Sequence, residues 1–157
     1  MKIRIYTILI GIFTIFTLSG CGTDPELTKF KNEIDAFCTA ISEIDTSINN
    51  VDAESEYAIS ELLGYLSDLE EEFENFSKLD FPEEFDYLEG LADESSEYMT
   101  TAVSSYKEAY ANDSYDEAKA DYARENYSRA YKRIQIMISF LHGEEPTDID
   151  LTTTTAE

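Results

Sequence analysis

The sequence has no Trp, one His and two Cys among its 157 residues. A single His excludes the di-iron type of helical bundle, which needs a Glu-x-x-His pair on each of two helices. Neither a Gly-rich phosphate loop nor a Gly-x-Ser-x-Gly elbow occurs. We therefore predict that the protein is not an enzyme, that it uses no cofactor and that it has no metal site.

Basic residues are also scarce, since 11 Lys and Arg stand against 34 Asp and Glu, for a formal net charge of −23. Binding to nucleic acid depends on basic residues that neutralise phosphates and release their counterions. Nucleic acid is therefore excluded as a partner. The same charge disfavours broad contact with an anionic lipid surface.

The first 20 residues have the pattern of a signal peptide. Lys2 and Arg4 form a positive start, and Ile5 to Leu18 is an uncharged, mostly apolar run of 14 residues. A membrane-spanning helix needs about 20 such residues, whereas a signal-peptide core needs fewer and ends in small residues. Ser19 and Gly20 supply the small residues, so we predict cleavage after Gly20.

Leu18-Ser19-Gly20-Cys21 resembles the lipobox of bacterial lipoproteins. The resemblance covers about the first 22 residues and implies that the Cys21 thiol carries diacylglycerol. Two acyl chains are sufficient for stable membrane anchoring. It further implies a protein held at the cell membrane, on its extracytoplasmic face, through lipid on Cys21. An ordinary cleaved signal peptide that happens to precede a Cys is the alternative.

Removal of residues 1–20 leaves 137 residues, a length that suits a single domain. Nine basic residues then face 34 acidic ones, a formal charge of −25. Once Cys21 is lipidated, Cys38 is the one remaining cysteine and cannot form an intrachain disulfide. Cys38 lies on an apolar helix side between Ile34 and Ile41, where we expect a buried, inert thiol.

Apolar residues recur at steps of three and four in four segments, the pattern of helices with heptad seams. The first two seams are Leu27, Phe30, Ile34, Phe37, Ile41, Ile44, Ile48 and Val51, then Ile59, Leu62, Leu66, Leu69, Phe73 and Phe76. The last two are Leu88, Leu91, Ser95, Tyr98, Ala102 and Ser105, then Ala120, Ala123, Tyr127, Ala130, Ile134, Met137 and Leu141. The small residues of the last two seams predict close approach of those helices.

These seams predict an all-α, up-down-up-down antiparallel four-helix bundle over residues 25–143. Asp24 and Asp52 are predicted N-caps, and Gly143 is a predicted helix end. The helices are expected at about 25–49, 53–77, 83–111 and 115–142. Residues 21–24 form a short tether after the signal peptide, and residues 144–157 are predicted to be a disordered acidic tail.

A Cys38–His142 nucleophile and base pair is disfavoured, because the bundle would separate the two by about 20 Å along its axis. His142 beside Gly143 instead suits the carbonyl end of a helix. The run Glu70–Glu72 is best explained as a solvated helix face.

Tyrosine is the most informative of the abundant residue types, since eight of the 11 tyrosines lie from Tyr87 onward. Aromatic rings with polar tips beside a seam of small residues suit a groove for a protein, peptide or glycan partner. The candidate partner-binding residues are Tyr106, Tyr110, Tyr122 and Tyr127. The alternative is that they fill the margins of an Ala-rich core.

The leading functional prediction is a non-enzymatic helical binding or protein-interaction module on an anchored lipoprotein. The alternative is a structural or charge-bearing acidic surface lipoprotein that binds cations weakly.

Overall fold

The computed structural model describes residues 24–111 and 115–144. The described residues form four helices and no strand: α1 (Pro25–Asn49), α2 (Ala58–Ser77), α3 (Glu89–Ala109) and α4 (Glu117–Leu141), with a 3₁₀ turn at Asp86–Leu88 before α3. The predicted all-α four-helix bundle is therefore confirmed. The predicted signal peptide, Cys21, most of the tether and nearly all of the predicted tail lie outside the described residues.

Side-chain caps fix the starts of α1 and α4. The Asp24 carboxylate accepts a hydrogen bond from the Glu26 backbone N–H at 3.0 Å, and Pro25 occupies the first helical position. At α4, the Asp116 carboxylate accepts from the Lys119 backbone N–H at 3.1 Å. Each cap satisfies a donor that the first helical turn leaves without an internal partner. The cap at Asp24 is the one that the sequence predicts.

Helix α2 begins later than the sequence indicates, at Ala58 instead of about residue 53. The Asp52 side chain accepts from the Glu54 backbone N–H at 3.0 Å, and the Asp52 carbonyl accepts from the Ser55 N–H at 2.9 Å. Asp52 therefore caps a separate turn that precedes the helix. As a result Ala58 is buried, while Ile59, which the seam places inside, is 42% exposed.

Helix α3 also begins later than predicted, because residues 83–88 form a turn followed by the 3₁₀ turn. The Phe85 N–H donates to the Pro82 carbonyl at 2.7 Å, and the Leu88 N–H donates to the Phe85 carbonyl at 2.9 Å. These short-range bonds belong to tight turns and 3₁₀ geometry and not to an α-helix. The regular helix starts only at Glu89.

Consecutive helices pack as neighbours, and the closest packing is between α3 and α4. The reason is the size of the side chains between them, since short side chains permit a small interaxial distance. The fully buried small residues on these two helices are Ala92, Ser95, Ala102, Ala109, Ala120, Ala123 and Ala130. The expected close approach is therefore found.

The seam of α3 is displaced by one residue from the predicted pattern at two of its positions. Ala92 and Met99 are completely buried, whereas Leu91 and Tyr98 are only half-buried. Residues three and four positions apart share a helix face, so a seam shifted by one residue keeps the same spacing. The unbranched Met99 side chain fills a narrow interior more readily than the Tyr98 ring does. Tyr98 consequently lies at the margin of the α3–α4 contact.

Phenylalanine rings fill the core near the α2–α3 connection. The rings of Phe37 and Phe76 stack with centroids 4.1 Å apart, and those of Phe30 and Phe81 are 4.9 Å apart. These contacts join α1, α2 and the connection through buried aromatic area, which stabilises the fold in place of a crosslink. Among the described residues, no helix has the length and apolar character needed to span a membrane.

We predict that A123L destabilises the bundle by about 1–3 kcal/mol, because three added carbons do not fit between closely packed helices. Ala123 is completely buried at this contact, whereas Ala118, on the same helix, is exposed. The matched variant A118L should therefore unfold in urea at nearly the wild-type midpoint, as followed by helical circular dichroism. Equal losses in the two variants would contradict close α3–α4 packing.

Candidate functional site

The four candidate tyrosines lie on α3 and α4, mainly toward the ends that the α3–α4 connection joins. Tyr106 is in the last turn of α3, Tyr110 follows that helix directly, and Tyr122 and Tyr127 belong to α4. The Asp116 N–H donates to the Ala109 carbonyl at 3.1 Å, which holds the end of α3 beside the start of α4. The antiparallel arrangement therefore brings side chains of the two helix ends together.

Tyr106 and Tyr110 join Tyr115 and Arg124 in a group that we call the tip cluster. The rings of Tyr110 and Tyr115 have centroids 5.2 Å apart. Burial raises the pKa of Tyr106 to about 12, while the positive charge of Arg124 acts in the opposite direction. Burial and the neighbouring Tyr115 also raise the pKa of Tyr110. The hydroxyls of Tyr106 and Tyr110 therefore stay protonated at neutral pH and can donate hydrogen bonds.

Tyr122 lies apart from Tyr127 on α4. The two tyrosines are five positions apart along the helix, which is a rotation of about 140°. Tyr122 is 53% exposed, whereas Tyr127 is half-buried on the side of the helix that faces α1. The four candidates therefore do not share one surface, and Tyr122 presents the most accessible ring among them.

Tyr127 and Tyr131 both donate hydrogen bonds to one carboxylate, that of Asp45 on α1. The Tyr127 hydroxyl binds Oδ1 of Asp45, and the Tyr131 hydroxyl binds Oδ2 at 2.9 Å. The two rings stack with centroids 4.8 Å apart, so they approach the carboxylate side by side. We call Asp45, Tyr127 and Tyr131 the Asp45 clasp; it links the first helix of the bundle to the last.

The electrostatics of the Asp45 clasp are set by burial. Desolvation raises the pKa of Asp45 above its ordinary value of 3.8, and the two tyrosine hydrogen bonds act to lower it. Burial also raises the pKa of Tyr127 and of Tyr131, and the nearby carboxylate charge adds to both shifts. The hydroxyls consequently remain donors, which is the state that a buried carboxylate requires.

A second polar contact fastens α3 to α4. Arg133 is only 8% exposed, and its Nε donates to Oε2 of Glu94 at 2.5 Å. The guanidinium carbons of Arg133 and Arg129 lie 5.4 and 5.7 Å from the centre of the Tyr98 ring. Such cation–π contacts and a charged hydrogen bond favour one register of the two helices. These basic residues of α4 therefore have partners within the bundle.

The other candidate reactive groups are placed far apart in the fold. Burial, and secondarily the charge of Asp35, raises the pKa of the Cys38 thiol to about 11, so the nucleophilic thiolate is scarce at neutral pH. His142 caps the end of α4, and Cys38 lies in the middle of α1. Across residues 24–111 and 115–144, no group of three or more His, Cys, Asp or Glu is placed to hold a metal ion.

The candidate residues named from the sequence leave out four members of the tip cluster and the Asp45 clasp, namely Asp45, Tyr115, Arg124 and Tyr131. A signal for Asp45 was present, because it lies four residues after Ile41 and three before Ile48, on the flank of an apolar seam. An acid at such a position indicates a buried partner. Nothing in the sequence specifies that the partners are tyrosines of α4.

Comparison with known proteins identifies no relative: no protein-family model matches the chain, and neither a curated protein nor a solved structure matches it. Function is therefore inferred from the chemistry and geometry of the chain's own residues.

We predict that D45A destabilises the protein by about 1–3 kcal/mol, because two largely buried tyrosine hydroxyls lose their acceptor. The matched control is D68A, which removes an exposed carboxylate of α2. Chemical unfolding at neutral pH measures both variants. A loss in D45A no larger than that in D68A would show that the clasp contributes nothing to stability.

The raised pKa of Asp45 also predicts a pH dependence. The folded state holds the Asp45 proton more tightly than the unfolded state does, so protonation of Asp45 adds to the free energy of unfolding. This added stability is complete below pH 3.8 and is lost as pH rises through the raised pKa of the folded state. D45N has no such proton, so wild-type stability should fall relative to D45N over this range. Urea midpoints at successive pH values test this, with D68N as control; parallel curves for wild type and D45N would refute it.

Proposed function

We propose that the protein is a lipid-anchored extracytoplasmic lipoprotein, and that its four-helix bundle is a non-enzymatic module for binding a protein, peptide or glycan. The lipobox-like Leu18-Ser19-Gly20-Cys21 supports the anchor. Helix α1 begins at Pro25, so only three residues separate the bundle from Cys21. The bundle would thus be held close to the membrane surface.

The observation that carries the binding role is the set of accessible tyrosines at the end of the bundle away from Cys21. Tyr122 is 53% exposed, Tyr115 is 37% exposed, and Tyr110 packs against Tyr115. Exposed tyrosines supply large contact area with a hydrogen-bonding tip and little conformational entropy to lose, which is why they are frequent in binding surfaces. The tip cluster and Tyr122 lie at the same end of the bundle, and this end is the proposed contact region.

The four candidate tyrosines receive different roles in this proposal. Tyr122 is a direct contact because its ring is exposed, and Tyr110 contributes the accessible part of a half-buried ring. Tyr106 is half-buried near Tyr110. Tyr127 supports the surface indirectly, because its hydroxyl is bound to Asp45. A partner would therefore contact a rigid surface, which reduces the entropy lost on binding.

The anchor is tested by C21S in the full-length protein. We expect the variant to leave the membrane fraction and to lack the added mass of a diacylglyceryl group, because the thiol that accepts the lipid is gone. C38A is the matched control, since Cys38 is buried and free, and it should remain lipidated and membrane-bound. If C21S stayed in the membrane fraction and kept the added mass of the diacylglyceryl group, lipidation at this residue would be refuted.

The contact surface is tested by placing a photoreactive amino acid at position 122 of the anchored protein in its native cell. We expect one reproducible adduct, reduced about tenfold by Y110A, since loss of an interface tyrosine commonly costs more than 1 kcal/mol. The control variant Y57A removes an exposed tyrosine that precedes α2, and the control labelling site is Glu71, exposed on α2.

An adduct that forms equally from position 71, or that Y110A leaves unchanged, would contradict the proposed surface. If the photoreactive group at position 122 is activated efficiently but captures no partner, the result would favour the alternative of an acidic surface lipoprotein with weak cation binding.

A further inference from the structure

The opposite end of the bundle carries an exposed aromatic edge that the proposed binding surface does not use. Tyr87 is 58% exposed, and its ring meets that of Phe140 edge-on with centroids 6.0 Å apart. Leu141, the last residue of α4, is half-buried beside Phe140 in the chain. We call Tyr87, Phe140 and Leu141 the basal edge. It combines a residue before α3 with the end of α4.

Contacts with α1 place the basal edge beside the start of that helix. Phe85, two residues before Tyr87, stacks on Phe30 of α1 with centroids 5.8 Å apart. Phe30 is five residues after Pro25, so it lies about 7.5 Å along the axis from the first residue of the helix. Tyr87 and Phe140 therefore lie at the end of the bundle where the chain enters from Cys21.

The length of the intervening chain limits how far this end can be from an anchored lipid. Four residue steps from Cys21 to Pro25 span about 14 Å at most when fully extended. With the lipid of Cys21 in the bilayer, as the proposed function requires, the start of α1 is confined to within about 14 Å of the lipid-bearing residue. The basal edge is then held against the membrane surface.

We propose that the basal edge seats on the bilayer interface, with the Tyr87 ring in the headgroup region and Phe140 and Leu141 packed behind it. Tyrosine suits this position because its ring is apolar and its hydroxyl remains hydrated, the property that enriches it at membrane interfaces. The contact is a shallow one, and it adds a second attachment point that restricts tilting of the bundle on its tether.

The charges around Tyr87 restrict which bilayer surface fits. Glu83, Glu84, Asp86 and Glu89 are all exposed in the same part of the chain. Carboxylates are repelled by anionic headgroups, so the surface that fits is an electrically neutral headgroup layer. The basal edge contributes orientation while the lipid contributes affinity.

A second copy of the chain is a poorer occupant of the same edge. Pairing two basal edges would bring the four exposed acids of each copy together, in a protein whose formal charge without residues 1–20 is already −25. Like charges at a contact oppose association. A bilayer of neutral headgroups brings no such charge.

The absence of Trp from the sequence provides a direct test. Y87W places a single indole on the basal edge, and Y57W places one on an exposed site between α1 and α2 at the other end. Each full-length variant is expressed, processed in the cell, purified as the lipoprotein and incorporated into phosphatidylcholine vesicles. The vesicles contain lipid with a nitroxide near the top of the acyl chain, which quenches the emission of a nearby indole. Vesicle flotation is measured first, to establish that each variant is anchored.

Interfacial side chains lie about 5–10 Å into the boundary between headgroups and acyl chains, so we expect the nitroxide to remove roughly half of the Y87W emission and little from Y57W. Flotation with equal, weak quenching of both variants would overturn the basal contact and leave the anchor intact. Protection of Y87W from aqueous acrylamide without nitroxide quenching would also overturn it, in favour of a second copy. Failure of both variants to float would overturn the proposed anchoring, and the basal contact with it.

Discussion

The close packing of α3 against α4 is the constraint on which the arrangement of the bundle depends. Completely buried alanines and one serine separate these helices, so their backbones approach closely along most of their length. Larger residues are consequently displaced to the two margins of the contact. Tyr98 lies beneath two arginines at one margin, and Tyr127 and Tyr131 meet Asp45 of α1 on another side of α4. The position of the large aromatic side chains on the surface of α3 and α4 therefore follows from the small side chains that separate the two helices.

The Asp45 clasp solves a different problem, which is how the first helix stays against the last. Helices α1 and α4 are far apart in sequence, and no connection joins them directly. A carboxylate with two oxygens accepts from two tyrosines at once, and this geometry fixes both the rotation and the height of α1 relative to α4. Apolar packing alone is less selective, because a heptad seam can slide by one turn at modest cost. A buried polar group therefore supplies positional specificity in this bundle.

The sequence determines the fold class more completely than it determines the site. Regular steps of three and four residues can only be buried by helices, and Asp24-Pro25 marks a helix start through purely local chemistry. The start of α2 was misplaced because Asp52 caps a turn as readily as a helix. The seam of α3 was ambiguous because Ala, Ser and Tyr alternate there without a strong apolar contrast.

The side-chain pairings across helices could not be predicted, since they depend on the relative rotation of elements that are distant in the sequence. Tyr122 and Tyr127 both looked like members of one surface, and only the three-dimensional structure separates an exposed ring from one bound to Asp45. Spacing along a helix gives directions around its axis. It does not say which neighbour occupies each direction.

The burial of Cys38 has a consequence for molecules confined to a surface. In the proposed anchored form, the sulfur of Cys21 is consumed in a thioether, and Cys38 is the one thiol left. Tethering proteins to a plane concentrates them and makes encounters between neighbours frequent, so an accessible thiol would couple them covalently under oxidising conditions. The packed interior of α1 withholds that thiol from collisions. In that proposed form, dense display would not lead to crosslinking through Cys38, and reaction of this thiol would report opening of the core.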